Sequence, residues 1–155
     1  MKELVAGDQA PDFTLARDGG STLSLASLRG GNVVLFFYPK DNTTGCTAEA
    51  CAFTGLSAEF AKAGTTIVGI SPDTAKSHDR FIAKYGLSMA LAADPEKTTL
   101  EAYGVWTEKS MYGRKYMGVE RTTFLIDSDG KIAAVWRKVK VPGHAEAVLE
   151  AARAL

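Results

Sequence analysis

Two short apolar runs with a helical pattern between them constrain the fold of this chain most. Val33 to Tyr38 is a continuous series of β-forming apolar residues, and Thr66 to Ile70 is a second one. Gly or Pro stands at the ends of both runs. Such runs are typical of strands that are buried on both faces of a sheet.

The segment between these runs predicts a helix over Thr47 to Ala63. Phe53, Leu56 and Phe60 recur there at helical spacing, and Gly64 follows as a stop signal. A strand, a helix and a second strand in this order predict parallel pairing of the strands through a right-handed crossover.

The rest of the chain predicts further helices and an antiparallel hairpin. The predicted elements are helices over 73–85 and 98–103, a hairpin of Thr122 to Ile126 with Ile132 to Trp136, and a closing helix that begins near His144. Together they predict a single α/β domain over residues 1–155, with a mixed central sheet and helices on both faces. Thioredoxin-like folds have this element order.

Composition excludes several classes of function. The 155 residues include 18 Lys plus Arg and 18 Asp plus Glu, so the net charge of zero disfavours nucleic-acid binding. The longest apolar run is far shorter than the ~20 residues that cross a bilayer, which predicts no membrane span. Residues 1–8 lack the apolar core of a signal peptide, so we expect a cytoplasmic protein. In that reducing compartment, two cysteines favour a catalytic role over a structural disulfide.

Both cysteines lie in the first predicted helix, just after the first buried strand. Cys46 falls in the first turn, where free backbone N–H groups and the helix dipole favour an anion such as a thiolate. Cys51 lies about 140° further round the helix. The pattern therefore predicts a recessed Cys46 and a Cys51 nearer to solvent.

Other interpretations of the reactive side chains remain open at this point. Cys46 alone also fits an inert buried thiol, and Cys51 an incidental helix residue. A zinc site of Cys46, Cys51, His78 and His144 is disfavoured because the cysteines diverge and the histidines lie on separate elements. His78 fits a packed or capping residue better than a catalytic one, and His144 fits a helix start.

The stretch around Cys46 resembles the active site of peroxiredoxins. Pro39, Thr43 and Cys46 match the pattern Pro-x-x-x-Thr-x-x-Cys, and Cys51 follows five positions after Cys46, as in the Q-type or bacterioferritin comigratory subfamily. Similarity extends over nearly the whole chain, through 10–15, 69–73, 111–113, 121–127 and 142–144. One departure is Thr54-Gly55, where the subfamily has an Arg-Asp pair.

The resemblance implies a role for each of five residues. Cys46 is expected to attack a peroxide oxygen and become a sulfenic acid, which Cys51 then converts to an intramolecular disulfide. Thr43 is expected to hydrogen-bond the reacting atoms, and Pro39 to shape and dry the pocket. Arg121, far away in sequence, is expected beside the sulfur, where its charge favours the thiolate.

The same resemblance implies a thioredoxin-dependent peroxidase that acts on hydrogen peroxide and organic hydroperoxides. Thioredoxin or a similar dithiol protein is the expected reductant, no metal, haem or flavin cofactor is expected, and a monomer suffices because one helix holds both cysteines. Two rival functions are a general thiol–disulfide oxidoreductase and a redox-switched binding or holdase module. The C-x-x-x-x-C spacing disfavours the first rival, for which C-x-x-C is typical.

Overall fold

The predicted strand–helix–strand unit forms the centre of the protein in a computed structural model that describes residues 3–155. Met1 and Lys2, the start of the segment considered for a signal peptide, lie outside the described residues. The elements in chain order are β1 (Thr14–Arg17), β2 (Thr22–Ser24), β3 (Asn32–Phe37), α1 (Thr44–Gly55), α2 (Ser57–Lys62), β4 (Thr65–Ser71), α3 (Ala75–Tyr85), β5 (Ala90–Ala93), α4 (Thr98–Ala102), β6 (Trp106–Met111), β7 (Arg114–Val119), β8 (Thr122–Ile126), β9 (Ile132–Trp136) and α5 (His144–Arg153).

The central sheet has seven strands in the order β2-β1-β5-β4-β3-β8-β9. β3 pairs in parallel with β4 and antiparallel with β8, so both kinds of pairing meet at the middle strand. Phe37, at the carboxyl end of β3, is in register with Thr122, the first residue of β8. This register brings the start of β8 to the edge of the sheet where α1 begins.

Both faces of β3 are buried, as its continuous apolar sequence predicts. Val33, Leu35 and Phe37 face one core, together with Leu100 of the short helix α4. The alternate residues, such as Phe36, face a second core formed with α1, α2, α3 and α5. The prediction of a mixed sheet with helices on both faces is confirmed, although four of the five α-helices found in residues 3–155 pack on the same face.

The prediction of one helix over Thr47 to Ala63 is wrong, because the structure divides this segment into α1 and α2. Leu56 leaves helical geometry at φ −107° and ψ 9°, directly after Gly55, a residue that stabilises helices poorly. Phe53 and Phe60 are fully buried on either side of this break. Their spacing therefore continues across the break, which is why the periodicity did not reveal it.

The ribbon of β6 and β7 was missed in the sequence. It pairs as a separate two-stranded sheet, and its tip carries Tyr112, which is 99% exposed. Strands that stand away from the core lack the apolar alternation by which strands are recognised. Within residues 3–155, no helix has the length and hydropathy needed to cross a bilayer.

Candidate active site

Cys46 lies in the first turn of α1, where the chain leaves the buried strand β3. Thr43 precedes the helix with an extended backbone, and the first helical hydrogen bond runs from the Thr47 N–H to the Thr43 carbonyl at 2.8 Å. The N–H groups before Thr47 therefore have no acceptor within the helix, and they favour negative charge nearby. The Cys46 residue is 2% exposed, so its sulfur is recessed as predicted.

Arg121 reaches the same sulfur from the start of β8. Its Nη2 atom lies 3.3 Å from Cys46 Sγ, which is hydrogen-bonding distance to sulfur. The register of Phe37 with Thr122 accounts for this contact, because it places Arg121 at the end of β3 from which α1 departs. A guanidinium and free helix N–H groups around one buried sulfur form a setting that stabilises a thiolate.

Glu49 holds the other side of the Arg121 guanidinium. Glu49 Oε1 accepts a hydrogen bond from Nη1 at 2.7 Å, and the Glu49 side chain is 1% exposed. Burial raises the pKa of Glu49 to about 7, although the charge and hydrogen bond of Arg121 oppose this shift. Burial lowers the pKa of Arg121, but the charges of Glu49 and Cys46 outweigh burial and hold it above its usual value.

Glu49 is a residue of the site that the sequence patterns did not predict. The signal was its position three residues after Cys46, because side chains at this spacing lie on the same face of a helix. Gly45 leaves room for this arrangement, since a Cβ atom there would lie 3.2 Å from Arg121 Nη2. A larger residue at position 45 would therefore displace the guanidinium from the sulfur.

Thr43 and Pro39 line the loop that leads into α1. The Thr43 hydroxyl donates to the Lys40 carbonyl at 2.9 Å and makes no capping hydrogen bond to the helix. A hydroxyl has one hydrogen, so in this arrangement its oxygen is left to accept a hydrogen bond from an incoming O–H group. Pro39 is half-buried between the end of β3 and this loop.

Cys51 lies in the same helix as Cys46 but is exposed, as predicted, and both thiols are free. The helix is continuous from Thr44 to Gly55. Residues five apart in such a helix have Cα atoms roughly 8.6 Å apart. Disulfides need Cα atoms within about 7 Å, so the two sulfurs cannot bond in this conformation.

The two histidines are buried in different places. His78 lies in α3 against Asp41, while His144 begins α5 as predicted, with Nε2 2.8 Å from the Thr123 hydroxyl. Burial, with the Arg121 charge, lowers the pKa of His144 to about 4, so this ring is neutral at pH 7. Among residues 3–155, no three His, Cys, Asp or Glu side chains gather as metal ligands.

The sequence is similar to one protein family and to named bacterial proteins over most of its length. The model of the AhpC/TSA family matches residues 6–135. A Bacillus subtilis protein named Peroxiredoxin Bcp is 44% identical over 144 residues, which cover 93% of this chain and 92% of the relative. A Xanthomonas campestris protein of the same name is 46% identical over 143 residues, which cover 92% and 89%.

Solved structures give the same result. Peroxiredoxin Q of Xanthomonas campestris matches with a TM-score of 0.91 and 44% identity, over 96% of this chain and 97% of that one. A further Xanthomonas campestris structure, of the bacterioferritin comigratory protein, is described in relation to alkyl peroxide reduction and matches equally well. A Xylella fastidiosa PrxQ variant matches with a TM-score of 0.93 and 38% identity, over 99% of this chain and 98% of that one.

Proposed function

The chain belongs to the AhpC/TSA family and is a peroxiredoxin of the Bcp type, which makes it a thiol peroxidase. We propose that Cys46 is the nucleophile that attacks the peroxide and that Cys51 is the resolving cysteine. One observation carries the assignment of Cys46. The Arg121 guanidinium lies 3.3 Å from its buried sulfur, whereas Cys51 is exposed.

In the first step, the Cys46 thiolate attacks one oxygen of the peroxide along the O–O bond. An S–O bond forms, the O–O bond breaks, and the second oxygen leaves with the bonding pair, to be protonated to water or an alcohol. Cys46 is thereby oxidised to a sulfenic acid, and the peroxide is reduced by two electrons.

Arg121 and Thr43 act on the atoms that change charge in this step. The Arg121 guanidinium stabilises the thiolate and the negative charge that develops on the leaving oxygen. The Thr43 oxygen accepts a hydrogen bond from the peroxide O–H, because its own hydrogen is used by the Lys40 carbonyl. Pro39 excludes water on the loop side of the pocket.

In the second step, the Cys51 thiol attacks the sulfenic sulfur of Cys46. An S–S bond forms, the S–O bond breaks, and water leaves. Since a helical spacing of five keeps the Cα atoms roughly 8.6 Å apart, the first turn of α1 must unwind before this bond forms. A dithiol protein such as thioredoxin then returns the two electrons by thiol–disulfide exchange.

Both hydrogen peroxide and organic hydroperoxides are substrates in this proposal, which agrees with the alkyl peroxide reduction described for the Xanthomonas relative. Residues 1–155 act as one domain in the cytoplasm. A monomer suffices for the reaction, because one helix holds both cysteines. No further cofactor takes part, since sulfur carries the electrons in every step.

A coupled assay tests this function. The reduced protein is mixed with peroxide, thioredoxin, thioredoxin reductase and NADPH, and consumption of NADPH is followed with hydrogen peroxide and with an alkyl hydroperoxide. Catalytic consumption of peroxide is expected. A general oxidoreductase would instead reduce a disulfide substrate without peroxide, and a redox-switched holdase would turn over neither.

A further inference from the structure

A buried polar network fastens the loop before α1 to the neighbouring helix α3. Asp41, in this loop, accepts hydrogen bonds at one oxygen from the Tyr38 hydroxyl at 2.6 Å and at the other from Ser77 at 2.7 Å. His78 Nδ1 lies 2.7 Å from this second oxygen. The exposed fractions of the Asp41 and His78 side chains are 4% and 0%, so water does not screen the contact.

The hydrogen-bond partners fix where the protons of this network lie. His78 Nε2 is 3.0 Å from the Ala92 carbonyl oxygen, which only accepts, so Nε2 carries a hydrogen. Nδ1 faces a carboxylate oxygen at 2.7 Å, so that contact also holds a hydrogen. Burial raises the pKa of Asp41, but hydrogen bonds from His78, Tyr38 and Ser77 outweigh it and hold this pKa below its usual value. The Asp41–His78 contact thus has the geometry of a buried, hydrogen-bonded ion pair.

The backbone of the loop is fastened at the same place. The Asp41 N–H donates to Asp73 at 2.8 Å, directly after β4. Asn42 adopts a left-handed conformation at φ 60°, and its side-chain oxygen accepts from the Tyr85 hydroxyl of α3 at 2.7 Å. Two consecutive loop residues are thus held by side chains of α3 and the end of β4.

We propose that Asp41 and His78 are positioning residues for the peroxidase reaction: their buried ion pair clamps the loop that carries Thr43 against α3. The loop-clamp, defined as Asp41, Asn42 and their partners on α3, touches neither the sulfur nor the peroxide. It fixes the position from which the Thr43 oxygen meets the peroxide. It also limits the unwinding that brings Cys46 to Cys51, because the chain before Thr43 stays fastened. This proposal rests on the proposed function of Cys46.

The test distinguishes two roles of the His78 side chain: its hydrogen bond to Asp41 in the loop, and the volume that it fills in the core. An Asn side chain at position 78 places an N–H near the Nδ1 position and still donates to Asp41. A Gln side chain reaches the Nε2 position and the Ala92 carbonyl instead. If His78 positions the loop, H78N keeps more of the activity than H78Q, whereas a purely structural role favours H78Q, the closer match in volume.

The measured quantity is the rate constant for oxidation of Cys46 by hydrogen peroxide in a single turnover, corrected for the folded fraction. We expect Asp41→Asn and His78→Gln to lower it by about 10- to 100-fold, the range expected when reacting groups are misplaced by about 1 Å, and H78N to lower it less. Leu149→Ala is the control, since Leu149 is a buried apolar residue of α5 and is not one of the hydrogen-bonding partners in the loop-clamp. Wild-type rates in D41N and H78Q, or losses that only follow the unfolded fraction as in L149A, would overturn the proposal.

Two measurements on the unmodified protein test the Asp41–His78 ion pair and the loop-clamp even where a variant fails to fold. Nitrogen NMR of the reduced protein should show hydrogens on both ring nitrogens of His78, and a bare Nδ1 would contradict the ion pair. On oxidation, amide exchange should quicken in the first turn of α1 but not at Asp41, and equal quickening at both would contradict the clamp. Failure of Cys46 to react with peroxide in the wild-type protein would refute the proposed function instead. The NMR measurement would still test the ion pair in that case.

Discussion

The first and third turns of α1 each carry a cysteine, and they differ in almost every property that governs thiol chemistry. Cys46 is buried, lies beside a guanidinium, and is close to N–H groups that have no helical acceptor. Cys51 is exposed on the opposite side of the same helix. One helix thus holds one sulfur in a recess beside a guanidinium and exposes the other to solvent.

The two thiols are chemically identical side chains, so the difference between them lies in their tertiary environment. Burial without Arg121 would favour the neutral thiol, because desolvation disfavours the charged form. Arg121 and the helix N-terminus each place positive charge near the Cys46 sulfur, which favours a negative charge there. In the proposed reaction, the exposed Cys51 needs no such support, since it would attack a sulfur that is already oxidised.

Exchanging sulfur for oxygen at each cysteine in turn tests this contrast with the largest expected effect. Cys46→Ser should abolish peroxide consumption, because a hydroxyl offers no accessible anion at neutral pH. Cys51→Ser should still consume about one equivalent of peroxide and stop at a sulfenic acid that dimedone labels. Mass spectrometry after one equivalent of peroxide checks both outcomes. An equal loss of this first turnover in the two variants would contradict the assigned roles.

Removing the guanidinium should make the surroundings of Cys46 more like those of an ordinary buried thiol. Arg121→Met is expected to slow the reaction of Cys46 with peroxide by about 100-fold or more, the usual effect of removing one donor to developing charge. Arg121→Lys should recover only part of the rate, because an ammonium lacks the planar fork that binds Glu49 and sulfur together. Stopped-flow fluorescence measures these rates, with exposed Arg114→Met as the control. A rate in R121M equal to that of R114M would refute the role of Arg121.

Glu49 adds a pH dependence to the Cys46 end of the helix. Its pKa of about 7 in the folded protein exceeds its ordinary value of 4.5, so the folded state binds more protons than the unfolded state between these values. Stability should therefore fall as pH rises from about 4.5 to 7. Relative to Glu49→Gln, the wild-type protein should lose up to about 3 kcal/mol of unfolding free energy over this range.

Urea denaturation at pH 4, 6 and 8 measures this difference. The matched control is Glu101→Gln, a change at an exposed position of α4, which should follow the wild-type protein across the range. A constant difference between wild-type protein and E49Q would show that Glu49 has the same protonation state folded and unfolded.

Oxidation should bring Cys46 out of its buried environment and next to Cys51. A disulfide between Cys46 and Cys51 cannot form while the turn between them stays helical, so the first turn of α1 should unwind. Amide exchange over 44–50 is expected to quicken in the oxidised protein, while the buried strand β3 keeps its protection. An oxidised structure with an intact bond and a continuous helix through both cysteines would disprove this.

The smallest effect is expected at the glycine that ends α1. A Cβ atom on Gly55 meets no other atom within 4 Å, so Gly55→Ala should stabilise the helix by about 1 kcal/mol or less. Where unwinding extends to this end of α1, the more stable helix slows formation of the Cys46–Cys51 disulfide in G55A by up to about fivefold. The preceding reaction of Cys46 with peroxide keeps its wild-type rate. Gly45→Ala is the informative contrast, because its Cβ presses on Arg121 and should slow the first reaction itself.

Much of the fold follows from local sequence patterns. The apolar run of β3 is buried on both faces, and α3 ends at Gly86, which adopts the left-handed conformation at φ 62°. The break at Leu56 and the exposed ribbon of β6 and β7 were not predictable. The break lies within an unbroken apolar period, and the ribbon is buried only where Trp106 and Val119 meet the core, so it has no apolar alternation along its length.

Local patterns suffice to predict a thiol in the first turn of a helix after a buried strand, because apolar runs, stop signals and spacing involve only residues that are near in the chain. The tertiary structure sets the distance between Arg121 and Cys46, which only the family resemblance had suggested, and it brings Glu49 to Arg121 and His78 to Asp41. These contacts join residues on different elements, and the register of β3 with β8 and the packing of α3 set their distances. Local patterns do not encode such distances, because register and packing are properties of the whole sheet and its cores.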